Sequence, residues 1–356
     1  MKKILTLNMG STSSKFAVFE DDKQIFSRTL RHSQEELDPF DDPSEQFEWR
    51  RDLVLDALKE EGFPLNEFDA VCSRAGALTR MVSGTYNIND EAIDQASDPR
   101  KSGTAPHPLG IRIADAISKE VGIPAYFCDP VTTDELCDVA RVSGFAPIER
   151  RSAFHALNQK AVARRTAKAI GKPYEELNLV GLHLGGGTSC VAHCKGMCID
   201  ICDCASEGAF SMDRPGTLSA ADVIKWAYKN YDKASDAIKV VRRKGGVFSY
   251  LGITDFLEVC NRSRAGDAEA KLIYDAFVFQ QCKDVGQMAA VMKFDVDAIF
   301  ITGGIAFDAQ IVEDIKDYVG KVAPVYVFPG EEEMQALAEA ALRVLNGEEQ
   351  AKEYVR

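Results

Sequence analysis

Apolar and polar positions alternate around a short polar insert near the start of the chain. Ile4-Leu5-Thr6-Leu7 predicts a strand, Asn8 to Ser14 a polar Gly/Ser loop, and Lys15 to Phe19 a second strand. Asp21-Asp22 turns the chain into a third strand over Gln24 to Leu30. The same order returns much later. Leu179 to Leu182 predicts a strand, His183 to Ser189 a polar loop and Cys190 to His193 the returning strand; Lys195-Gly196 is the turn before Met197 to Cys202. Two such units, far apart in the chain, predict two related domains rather than a solenoid of short repeats.

Helical spacing fills the stretches between. Leu109, Ile113, Ile117 and Val121 recur every fourth position, and Asp267 to Met292 carries a long amphipathic pattern. Ser219 with Asp222 resembles a capping box opening a helix through Ile224 and Trp226. Ile123 to Cys128 reads as an apolar strand ending on Asp129, where an acid seldom sits for packing. Near the C-terminal end, Val296 to Ile301 predicts a strand entering Thr302-Gly303-Gly304-Ile305, followed by a helix over 308–319. A strand at Val325 to Phe328 then leads through Pro329-Gly330-Glu331-Glu332-Glu333 to a last helix ending at Leu345. The pattern is α/β, with each presumed ligand loop at a strand end. A border near Arg150-Arg151 gives one domain of 1–150 plus a C-terminal helix of about 331–356, and a second of 151–330.

Composition narrows the function. A chain of 356 residues suits two cores, and 46% hydrophobic with 27% charged residues is ordinary for a soluble globular protein. A net charge of −13 opposes nucleic acid and anionic membrane partners, while a local basic cluster can still receive an anionic substrate. Met1-Lys2-Lys3 is not followed by a signal-peptide core, so a cytoplasmic protein is expected. Of ten cysteines, those at 190, 194, 198, 202 and 204 fall on even positions that would share one face of a strand pair. A metal or redox site is one reading of them. Filling core positions as a small hydrophobe is the other, and the absence of zinc-type spacing there favours it.

A Gly- and hydroxyl-rich loop between strands offers amides and hydroxyls to a phosphate. Neither loop is a Walker loop or a G-x-G-x-x-G. Two equivalent loops, expected to face each other across a cleft between the domains, suit the phosphates of a nucleotide. This organisation, with its late strand–Gly-Gly–helix, resembles the actin/Hsp70/sugar-kinase superfamily and its duplicated actin-like ATPase (ribonuclease H-like) fold. Within it, N-M-G-S-T-S-S-K at 8–15 is similar to the signature of the acetate/butyrate kinase family. F-H-A-L-N-Q-K-A-V-A-R at 154–164, H-L-G-G-G-T-S at 183–189, E-G-A-F-S-M-D-R at 207–214, D-P-V-T-T-D-E at 129–135 and P-G-E-E-E-M at 329–334 resemble its butyrate branch. The pattern departs at Ala105 to Gly110, at D-R-P-G-T-L and at Ser73-Arg74-Ala75-Gly76, which bears on acyl-chain preference rather than on the reaction.

The resemblance implies phosphorylation of a short-chain carboxylate by ATP with Mg²⁺, reversibly, with butyrate as acceptor. Acetate, propionate or a branched acid are the alternatives within the family, and a sugar or polyol kinase or a non-catalytic ATP module lies outside it. It implies that Asn8, Ser11, Ser13 and Lys15 meet the transferring phosphoryl group and that Arg74 meets the carboxylate. Asp129 is the active-site acid, and His155 and Arg214 contact the transferring phosphoryl. His183, Gly185, Gly186, Gly187 and Thr188 form the second phosphate loop, and Gly303, Gly304 and Ile305 the adenosine wall. Glu332, within a run of three glutamates, is the metal-associated acid, joined by Asn8 and Asp129. A homo-oligomer, dimer or higher, is expected. Taken singly, Arg74 and Arg214 would be surface arginines, His155 a core histidine, and Glu331 to Glu333 a solvated helix start favourable to the macrodipole. Only the joint pattern favours catalysis.

Overall fold

The computed structural model describes residues 1–76, 78–98, 108–203 and 207–355. The chain forms two compact units, one of Met1–Asp134, Ala156–Asn158 and Glu332–Arg356, the other of Glu135–His155 and Gln159–Glu331. The first holds strands β1 (Lys3–Met9), β2 (Ser13–Glu20), β3 (Lys23–Arg31), β4 (Ala70–Ser73), β5 (Thr85–Asn87), β6 (Ala125–Cys128) and β14 (Lys352–Glu353). Their order across the sheet is β14-β5-β6-β4-β1-β2-β3. The second holds a hairpin, β7 (Val142–Phe145) with β8 (Ile148–Glu149). Its main sheet comprises β9 (Asn178–Leu184), β10 (Thr188–Cys194), β11 (Met197–Asp203), β12 (Ala298–Gly303) and β13 (Val325–Pro329), ordered β11-β10-β9-β12-β13.

The two sheets share one plan. β1 is antiparallel to β2 and parallel to β4, which is parallel to β6. Likewise β9 is antiparallel to β10 and parallel to β12, which is parallel to β13. The expected duplication is therefore a duplication of topology as well as of loops. Parallel strands covered on both faces need apolar residues on both, and β9 and β12 are buried along their whole length. In the first unit the helix Leu109–Val121 packs Leu109, Ile113, Ala114 and Ile117 against Leu5, Leu7 and Val71. That helix stops at Gly122, whose φ of 73° costs glycine nothing. In the second unit the helix Ala268–Val291 buries Ile273, Phe277, Val285 and Met288 in the core below β9, β10 and β12.

Several details differ from the sequence expectation. Both polar loops are shorter, because ladder pairing runs on through Met9–Ser14 and Leu184–Thr188. Ser219 stands at the N-cap of the helix Ala220–Asn230, yet its side chain makes no capping hydrogen bond. The chain passes into the second unit after Asp134, earlier than Arg150-Arg151. Among the interactions that hold this segment there, the Cys137 amide donates to the Ile199 carbonyl, and Arg150 pairs with Asp200 and Glu207. The cysteine stripe is split. A register shift between Ala192 and His193 leaves Cys190 and Cys202 in the main core, while the Cys198 sulfur lies 3.6 Å from His193 Nδ1, away from that core. Cys204, and residues 105–107 of the departing segment, lie outside the described residues.

Candidate active site

Open parallel sheets present ligands at the carboxyl ends of their strands. In the first unit Asn8, Arg74 and Asp129 occupy those ends of β1, β4 and β6, three neighbours in the sheet. The Arg74 amide still donates to the Leu7 carbonyl at 2.9 Å, which fixes the root of its side chain. Asp129 has a φ of 38° and is 6% exposed; its Oδ1 accepts from Ser83 Oγ at 2.6 Å and from the Gly84 amide at 3.0 Å. Positive φ is costly for a residue with a Cβ, so this backbone conformation is held by its surroundings.

The acid that joins Asn8 to Arg74 is Glu333. Asn8 Nδ2 donates to Glu333 Oε2 at 2.5 Å, and Arg74 Nη1 lies 3.3 Å from Glu333 Oε1. Glu333 opens the last helix, Glu333–Leu345, whereas the expected Glu332 is its N-cap position. Ser11 lies exposed in the turn, Ser13 begins β2, and Lys15 stands opposite Asn8 in the ladder.

In the second unit the parallel ends of β9, β12 and β13 bring His183, Gly303 and Glu331 into line. His183 is fully buried, and its Nε2 lies 3.0 Å from Glu331 Oε1. The His155 ring stacks on His183 with centroids 3.9 Å apart and planes 12° from parallel, and its Nδ1 is 3.0 Å from Ser189 Oγ. Gly185 to Gly187 form the tight turn between β9 and β10, closed by the Gly185 amide donating to the Gly187 carbonyl at 3.0 Å. Thr188, buried, starts β10 opposite Leu184.

Side chains rest closely on two of the three glycines of the turn. A Cβ on Gly187 would lie 2.6 Å from Arg214 Nη1 and 3.4 Å from His155 Cε1; one on Gly185 would lie 2.9 Å from Glu331 Oε1. Two potential cations, His155 and Arg214, thus crowd one short glycine turn. At Gly303, with a φ of 91°, a Cβ would fall 2.2 Å from the Leu184 carbonyl oxygen, so that backbone approach admits no side chain. Beside the turn lies a cavity of about 650 Å³ lined by Gly185, Gly186, Phe256, Gly304, Ile305 and Phe307 among others. Its size and mixed lining suit a nucleoside.

Sequence reasoning had named the three glutamates without finding which faces what. Glu331 precedes the N-cap of the last helix and lies on His183, whereas Glu333 is the first residue of that helix and lies on Asn8 and Arg74. It had missed Ser83, Ser189 and Asp284, the last of which accepts from the Ala209 amide at 2.7 Å in the segment leading to Arg214. Burial pushes the Cys190 and Cys202 thiols up, so both stay protonated and fill core positions. Among the described residues no cluster of three His, Cys, Asp or Glu side chains is placed to hold a metal. No helix among them is long and apolar enough to cross a membrane.

Residues 147–345 match the acetokinase family. Over 355 residues the chain is 45% identical to butyrate kinase 1 of Clostridium acetobutylicum, covering 99% of this chain and 100% of that protein. It is 43% identical to butyrate kinase 2 of the same organism over 353 residues, 99% of each. Among solved structures, the acetate kinase of Porphyromonas gingivalis matches with a TM-score of 0.78 at 18% identity, covering 96% of this chain and 99% of that one. A propionate kinase from Francisella tularensis matches with 0.77 at 19%, covering 95% and 99%. At such identities the likeness establishes the fold, the two-domain actin-like ATPase fold.

Proposed function

The chain belongs to the acetokinase family and is an ATP-dependent kinase of short-chain carboxylates; on that premise we propose butyrate as its acceptor, giving butanoyl phosphate and ADP, reversibly. The observation that carries this reading is the crowding of His155 and Arg214 onto the Gly185–Gly187 turn beside a nucleoside-sized cavity. The choice of butyrate is supported by relatives of that name at 43–45% identity across the whole length. The first unit serves the carboxylate and the second the nucleotide.

A fatty acid has a pKa near that of Glu, about 4, so its carboxylate is already the nucleophile at neutral pH. No base is required, and the protein's task is positioning and charge compensation. Arg74 offers the carboxylate a planar two-pronged donor in place of its present partner Glu333. Arg214 and His155 donate to the transferring phosphoryl oxygens as charge spreads over them. Ser11, Ser13, Lys15 and the Asn8 amide supply further donors from the first loop. Asp129, held by Ser83 and Gly84, is oriented as an acceptor and is not needed to remove a proton.

The donor set fits Mg²⁺, which keeps several waters and asks for one or two carboxylates plus phosphate oxygens rather than a cage of acids. Glu333 and Asn8 would hold it directly, with Asp129 ordering its waters; in this reading Glu333 takes the place expected for Glu332. The ion supplies neutralisation of phosphate charge. The use of ATP supports a cytoplasmic location. A homo-oligomer, dimer or higher, is supported by the helix Ala220–Asn230, which buries none of its residues and leaves Ile224 and Tyr228 exposed.

Hydroxylamine trapping tests the reaction across acids from acetate to isovalerate, with glucose as a control. Butyrate should give the highest kcat/KM for acyl hydroxamate formation. ADP release that follows glucose, or that ignores every carboxylate, would overturn the reading.

A further inference from the structure

Arg50 lies in the helix Phe47–Glu60 and is fully buried, a position that a cation seldom takes without an acid beside it. Its donors go almost entirely to one loop. Nη1 donates to the Gly10 and Ser13 carbonyls, each at 2.9 Å, and lies 3.3 Å from Ser14 Oγ; Nη2 donates to the Ser11 carbonyl at 3.0 Å. Nε donates to Gln46 Oε1 at 2.9 Å. Burial pushes the guanidinium down only to about 10, so the charge is kept at neutral pH.

A trans peptide sets C=O of one residue opposite to N–H of the next. By drawing the Gly10 and Ser11 carbonyls inward, Arg50 turns the Ser11 and Thr12 amides to the other side of the loop, where both residues are exposed. Successive outward amides are what binds an anion. We propose that Arg50 is a positioning residue: its bonds to the Gly10 and Ser11 carbonyls present the Ser11 and Thr12 amides as the phosphate-binding face of the first loop, and its bond to the Ser13 carbonyl anchors the loop's far end. Its buried positive charge adds to the attraction from beneath. This assignment rests on the kinase reading for the identity of the anion, and on the loop geometry for everything else.

The test compares Arg50→Met and Arg50→Lys in the full chain. Methionine removes every donor without leaving a buried charge, and an ammonium recovers a single point of contact in place of the fork. Arg50→Met should lower kcat about 10²-fold, the scale of a small misplacement of reacting groups, with KM for butyrate near its wild-type value. Arg50→Lys should recover part of kcat. Amide hydrogen exchange over residues 9–14 should quicken in Arg50→Met while the helix Leu109–Val121 keeps its protection. Equal kcat in a folded Arg50→Met, or unchanged exchange in the loop, would overturn the assignment. Should Arg50→Met fail to fold, an Arg50→Lys protein with wild-type kcat and exchange would do the same. Wild-type protein forming no acyl hydroxamate would count against the kinase reading instead, and loop exchange would still decide the role of Arg50.

Discussion

Asp284 is 5% exposed and accepts from the Ala209 amide, yet burial still pushes its carboxyl from 3.8 up to about 6. The direction fixes a pH dependence. Between those two values the folded protein binds a proton that the unfolded chain does not, so the group's contribution is fully present below about 4 and is lost as pH rises through about 6. At about 1.4 kcal/mol per pKa unit, the ionised form at pH 8 costs about 3 kcal/mol. Asp284→Asn keeps an oxygen for the Ala209 amide and removes the charge. Its new NH₂ must find an acceptor near Gly208 and Gln287, which offsets part of the gain. The variant should therefore be more stable than wild type by about 1–3 kcal/mol at pH 8, an advantage that is lost toward pH 4, where only the cost of the new NH₂ remains. Urea unfolding at a series of pH values, with amide exchange of the helix Ala268–Val291 reporting the second unit, measures it. A difference that does not grow with pH, or a wild type more stable at pH 8, refutes the reasoning.

Arg214→Ala should lower kcat about 10²–10³-fold with ATP affinity nearly kept, as loss of one oxyanion donor does; unchanged kcat in folded protein would remove Arg214 from the reaction. Gly187→Ala should mimic it, since the new Cβ meets Arg214 Nη1 at 2.6 Å, and Arg214 must move; normal kcat would show that the contact is idle. Arg74→Lys should raise KM for butyrate far more than KM for ATP, because an ammonium cannot reproduce a fork; equal changes would place Arg74 on the nucleotide side. Glu333→Gln should raise the Mg²⁺ concentration needed for half-maximal rate much more than Glu332→Gln does, and the reverse order would restore Glu332 to the metal.

The two strand–loop–strand units were legible because alternation and turn chemistry act over a few residues. Their shared sheet order could be suspected from that recurrence, but the parallel pairs β4–β6 and β12–β13 depend on crossovers that no local pattern encodes. Leu109 to Val121 and the last helix were legible from apolar spacing. Glu331 and Glu333 were not distinguishable, since the run holds three identical acids and only the point at which the last helix starts, Glu333, sets their directions. The split of the cysteines had no sequence signal either, because a single extra residue at Ile199 reverses the face that follows. Arg50 was hidden for a related reason. In F-E-W-R-R it looks like one of two solvated arginines, and its burial depends on a loop whose residues lie far back in the chain.

Because residues 332–355 return to the first unit, the two units cannot be finished in the order in which they begin. On the ribosome, every strand of the second unit has been synthesised once Glu331 is added, while the first still lacks its last helix, the edge strand β14 and Tyr354, whose ring packs against Tyr86 and Phe127. The early half of the molecule must wait, with the apolar surface around Met81, Tyr86 and Phe127 uncovered, for the final segment to emerge. Such a wait invites non-productive association and chaperone capture. A fusion or truncation at the C-terminal end therefore acts on the folding yield of the N-terminal half, and on Glu333 with it.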